Sequence, residues 1–132
     1  GLANAGVTAV HSLSYPLGGR YGVPHGLANT VLLPAVMRFN FPGVLEKFAV
    51  IAETMGEMVD ELSLRDAALC AVDAVEDLIF DCGVDASLET LGVEEDDFLE
   101  LAEQAMTVAR PLANNPRSIS VKDAVEIYHE AY

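Results

Sequence analysis

Two histidines, His11 and His25, open and close the stretch HSLSYPLGGRYGVPH. Neutral imidazole is the commonest nitrogen ligand for Zn²⁺ and Fe²⁺. His11 on one helix and His25 at the start of the next, joined by a tight turn, could converge on one metal. Two ligands are half a site, because a catalytic metal takes at least three from the protein. The alternative is structural: His11 hydrogen-bonded within a core and His25 capping a helix start. The third histidine, His129, lies three residues from the end on an amphipathic helix and reads as solvated surface.

The chemistry depends on the elements around these residues. Residues 2–15 read as a helix ended by Pro16 and the Gly18-Gly19 pair. Pro24 suits the first turn of a second helix running toward Phe39, and Pro34 inside that stretch should kink or divide it. Pro42 opens a third helix, with Leu45, Phe48, Ala49, Ala52 and Met55 on one face. Ser63 and Asp66 make a capping-box-like start for a fourth. Its stripe is Ala68, Val72, Val75, Ile79 and Cys82, and Gly83 is its stop. The acidic run Glu94 to Asp97 favours the N-terminal end of a fifth helix. Phe98, Leu101, Ala102, Ala105 and Ala109 form its apolar face. After the break at NNPR, Ser120 and Asp123 cap a last helix burying Val121, Ala124, Val125, Tyr128 and Tyr132. No stretch alternates with period two and no internal repeat appears. The expectation is one all-α domain over residues 1–132, a bundle of about six helices.

Composition narrows the function classes. Seven Lys+Arg against 21 Asp+Glu give a formal net charge of −14. That leaves no cationic patch for nucleic acid, and an anionic membrane surface is disfavoured for the same reason. The acidity fits a soluble surface kept apart by self-repulsion, or adaptation to high salt. Cys70 and Cys82, on one helix at ~1.5 Å per residue, sit too far apart for a disulfide. Reduced thiols fit a cytoplasmic compartment. The apolar run VLLPAVM is too short to span a bilayer, and no signal peptide is visible. Dinucleotide and phosphate-loop glycine patterns, CxxC pairs and a G-x-S-x-G elbow are all missing from the sequence.

The run NAGVTAVHSLSYPLGGRYGVPHGLANTVLLPAVMRFN resembles the signature region of the iron-containing, or group III, alcohol dehydrogenases. The matching features are the Asn-Ala-Gly entry, the histidine, the Leu-Gly-Gly turn, Pro-His-Gly-x-x-Asn and the apolar helix ending in Phe-Asn. The late stretch NNPRSISVKDAVEIYHEAY is similar to that family's closing motif and terminal helix. The resemblance covers essentially the whole chain and is strongest over residues 4–40.

This resemblance implies a divalent metal, Fe²⁺ or Zn²⁺, held by an aspartate and three histidines, two of which match His11 and His25. It also implies hydride exchange between a nicotinamide, NAD(P), and a small alcohol or aldehyde whose oxygen the metal polarises. Where the family often places a further histidine, this chain has Tyr15, one helical turn from His11. Its hydroxyl could donate a hydrogen bond or join a proton relay, although a phenol ionises at far higher pH than an imidazole. That departure bears on substrate preference. Asn4 and Asn29 are candidates for positioning loops near the cleft, Arg117 for tying down the last helix, and Phe39 and Tyr21 for the core.

The family's aspartate, its remaining histidine and its nucleotide-binding domain lie upstream of the region matched here. The chain also opens at Gly1 inside a helical stretch. The expectation is therefore the C-terminal part of a parent enzyme, inactive by itself, with an exposed apolar patch covered by self-association into a homo-oligomer. The alternatives are a non-catalytic packing or oligomerisation module that keeps the histidines as scaffold, or a glycerol dehydrogenase-like branch.

Overall fold

The computed structural model describes residues 8–84, 86–107 and 119–132. They form six α-helices and no strand: α1 (Thr8–Tyr21), α2 (His25–Asn40), α3 (Leu45–Thr54), α4 (Leu64–Asp81), α5 (Phe98–Met106) and α6 (Val121–Ala131). Short 3₁₀ turns at Phe41–Gly43 and Glu95–Asp97 lead into α3 and α5. The all-α expectation holds. Ala109, Asn4, Arg117 and the NNPR break lie outside the described residues.

α1 corrects the expected boundary. It runs through Pro16 and both glycines, ending only at Tyr21. A proline inside a helix costs about 3 kcal/mol relative to alanine. Leu13 and Leu17, both fully buried, flank Pro16. Each contributes about 1.5–3 kcal/mol by leaving water, enough to offset the penalty. The stop is Gly22, which takes φ +67° while its N–H donates to the Gly18 carbonyl at 3.1 Å. That left-handed conformation is open to glycine and strained for other residues.

α2 starts at His25 with Pro24 as its N-cap residue, and the Pro24 carbonyl accepts from Ala28 N–H at 3.0 Å. Pro34 lies within the helix without dividing it. α2 is central because it belongs to two apolar clusters. Its residues Ala28, Val31, Leu32, Ala35 and Val36 pack with α1 and α6, in a cluster that α5 also joins. Its end, from Met37 onward, packs with Phe41, Phe48, Ala52 and the alanine-valine face of α4. That face is Ala67, Ala68, Ala71, Val72, Ala74 and Val75; Ile79 is half-buried and Cys82 exposed, so the buried stripe ends earlier than its periodicity suggests.

The caps read from sequence form as expected. Ser63 Oγ accepts from Asp66 N–H at 3.1 Å, and Ser120 and Asp123 form a reciprocal capping box. On α6 the buried residues are Ala124, Ile127, Tyr128 and Ala131, with Val121, Val125 and Tyr132 half-buried. On α3 only Phe48 and Ala52 are buried, and Met55 lies outside at the helix end. Between α4 and α5, Leu88 is a buried peg whose N–H donates to the Ala131 carbonyl at 2.9 Å. Cys70 and Cys82 are free thiols. Large apolar side chains left in solvent include Tyr15, Phe80 and Met58, the last 93% exposed. Among the described residues no helix is long and apolar enough to cross a membrane.

Candidate metal centre

His11 lies on the exposed face of α1, between the buried Val10 and Ser12. His25 is the first residue of α2, also exposed. The three residues between the helices each have a constrained role. Gly22 reverses the chain in the left-handed region, Val23 is buried as an anchor, and Pro24 holds φ −55° and ψ 137°. The turn folds α2 back along α1 and brings the rings together. His11 Nδ1 and His25 Nε2 stand 3.2 Å apart, with ring centroids at 5.2 Å and planes 17° from parallel.

The core-bound alternative for His11 is thereby corrected: its ring is in solvent against His25. His25 does not cap the α2 start through a side-chain bond either. Without a cation, one ring nitrogen donates and the other accepts. The same arrangement fits a shared cation. Two nitrogens bound at ~2.0–2.1 Å to one tetrahedral ion lie about 3.4 Å from each other, close to the separation observed. Among the described residues no third histidine, cysteine or carboxylate joins the pair. The donor set is two imidazole nitrogens on solvent-exposed rings.

Tyr15 is 69% exposed, one turn along α1 from His11. Asn29, one turn along α2 from His25, has its Oδ1 buried without a hydrogen-bond partner. It lines a recess of about 140 Å³ with Val10, Thr30 and Leu33. His129 is more than solvated surface: its ring meets Phe98 edge-on at 4.8 Å, and its Nδ1 lies 3.8 Å from the Glu95 carboxylate.

One cluster near the pair was not expected from the sequence. Tyr21, assigned to the core, is half-buried and donates its hydroxyl proton to the Asp97 carboxylate, while the same oxygen accepts from Glu94 N–H at 3.3 Å. Arg20 binds Asp97 at 2.9 Å and Glu100 at 2.6 Å. Burial, and then the hydrogen bond to Asp97, raise the Tyr21 phenol above its ordinary value. The partners lie more than seventy positions apart, so local pattern carries no trace of the contact. The lone signal was an Arg-Tyr pair ahead of the turn in a chain so short of cations.

The all-α architecture and the facing imidazoles define a helical domain that presents a histidine pair at its surface. Comparison with known proteins gives its family. The model of the Fe-containing alcohol dehydrogenase family, C-terminal, matches residues 1–132. The 1,3-propanediol dehydrogenase of Citrobacter freundii is 45% identical over 129 residues, 98% of this chain and 33% of the relative. The lactaldehyde reductase of Escherichia coli (strain K12) is 41% identical over 132 residues, 100% of this chain and 34% of the relative. A crystal structure of 1,3-propanediol oxidoreductase matches with a TM-score of 0.90 at 43% identity, covering 94% of this chain and 32% of that one. The chain belongs to the Fe-containing alcohol dehydrogenase family, within its C-terminal region. It spans about a third of the length of the curated relatives it matches.

Proposed function

We propose that this chain contributes His11 and His25 as two of the ligands of a divalent metal, Fe²⁺ or Zn²⁺, in an NAD(P)-dependent alcohol dehydrogenase or aldehyde reductase. The observation that carries this reading is the convergence of the two ring nitrogens to 3.2 Å on the solvent side of the α1–α2 hairpin. When bound, the metal would supply Lewis-acid polarisation of the alcohol or carbonyl oxygen, and the nicotinamide would accept or supply the hydride. The chain's own residues hold and orient. The Gly22-Val23-Pro24 turn fixes His25, the buried Leu13 and Leu17 seat α1, and Tyr15 offers a hydroxyl on the His11 side. The remaining ligands and the nucleotide site would come from protein outside these 132 residues, so the chain alone is expected to be inactive.

A chimera tests this directly. The matching third of the Citrobacter freundii 1,3-propanediol dehydrogenase is replaced by this chain, and NAD-linked diol oxidation and bound metal are measured. Activity is expected in the chimera, with metal content and turnover both lost in His11→Ala and in His25→Ala. Turnover that survives both substitutions would make the histidines scaffold and favour a packing module instead. Tyr15→Phe is expected to lower kcat while leaving KM nearly unaltered, as loss of a hydroxyl that acts only in proton transfer would.

A further inference from the structure

The cluster joining Arg20 and Tyr21 at the end of α1 to Asp97 and Glu100 at the start of α5 is separated from His25 by three residues, Gly22 to Pro24. We propose that this cluster is a positioning latch for the histidine pair, setting where His25 stands relative to His11; the proposal rests on the reading that the pair shares a metal.

Each link from the latch to His25 is stiff. Tyr21 is held at its hydroxyl by two groups, the Asp97 carboxylate and the Glu94 N–H, which lie on either side of the turn into α5. Arg20 spans Asp97 and Glu100, so both of the last two residues of α1 are fastened to the same element. From Tyr21 the chain passes through Gly22 in the left-handed region, the buried Val23 and the φ-fixed Pro24. Val23 and Pro24 can absorb little displacement, and Gly22 is tied back to α1 by its N–H bond to the Gly18 carbonyl at 3.1 Å. A shift of the Tyr21 end therefore reaches His25, whereas His11 is held separately by the buried Val10, Ser12 and Leu13 around it. The polar contacts to α5 thus bear on the His25 side of the turn, while the buried residues beside His11 hold the other ring. Tyr21 and Asp97 act through His25, not on any reacting atom, in the manner of outer-shell groups that orient metal ligands.

The test uses the chain as it exists, with Ni²⁺ as the probe ion in a calorimetric titration. Ring nitrogen–proton correlations of His11 and His25 are recorded by NMR without metal. Tyr21→Phe and Asp97→Ala are compared with Val75→Ala, which destabilises the separate α2–α4 cluster and leaves the latch intact. Ni²⁺ affinity is expected to fall about tenfold in both latch variants, the usual scale for an outer-shell loss. Their His25 ring signals should move, while Val75→Ala alters neither readout. Unchanged affinity and ring signals in the latch variants would overturn the latch and leave the metal reading intact. Equal losses in Val75→Ala would also overturn it, by reducing it to general stability. Absence of Ni²⁺ binding by the parent chain, with His25 signals still moving in the latch variants, would sustain the latch and sink the metal reading.

Discussion

Tyr128 is fully buried on α6, and its hydroxyl donates to the Leu13 carbonyl at 2.7 Å, two residues past His11. Burial drives its ionisation far above the ordinary tyrosine range. The folded protein therefore keeps this proton where the unfolded chain loses it. The stability is fully present below the unfolded value, ~10, and declines as pH rises above it. Alkaline unfolding is expected to begin in that range, and Tyr128→Phe should blunt it while costing about 1 kcal/mol at neutral pH. Denaturant melts at pH 8 and pH 11 check this; equal pH sensitivity in both proteins would contradict it. Like the Tyr21 latch, this contact joins residues distant in the chain, here 115 positions apart, and nothing in either local segment announces it. His11 and His25 were legible for the opposite reason. Their turn is written in consecutive residues, and the resemblance identified both.

At the scale of elements, signals that act within one turn of helix were readable. Ser63 and Ser120 begin their helices where their hydroxyls can reach an N–H three residues on. Signals that compete with packing were not. Pro16 and Gly18-Gly19 oppose a helix locally, yet α1 continues because Leu17 must reach the core. The true stop is Gly22, whose role depends on backbone conformation alone. A Cβ there would meet nothing within 4 Å, so only the left-handed φ opposes a side chain. Gly22→Ala is thus expected to lower stability by about 1–2 kcal/mol without a packing defect. A neutral or stabilising effect in thermal melts would mean that the turn is less constrained than its geometry indicates.

For the molecule as a whole, charge is the dominant feature outside the cores. A net −14 with few cations means that carboxylates largely face one another across solvent. The described ion pairs are few: Arg20 serves Asp97 and Glu100, and Arg38 serves Glu76 with Asp73 at 4.0 Å. These exposed pairs contribute little each, so screening the repulsion should outweigh weakening them. Raising NaCl from about 0.01 M to about 0.15 M shortens the screening length from ~30 Å to ~8 Å. The melting temperature is expected to rise over that range; a fall would show that attractive pairs dominate. The helical class followed from composition and periodicity, but the division into two clusters sharing α2 did not. It arises where Met37 turns from one set of neighbours to the other, a tertiary choice.

The central claim is that His11 and His25 bind one metal together, and calorimetric titration of the chain with Zn²⁺ tests it most directly. The account predicts one weak site per chain, abolished by His11→Ala and equally by His25→Ala, with both variants retaining the helical fold by circular dichroism. Absence of binding in the parent chain, or binding that survives either substitution alone, would contradict it.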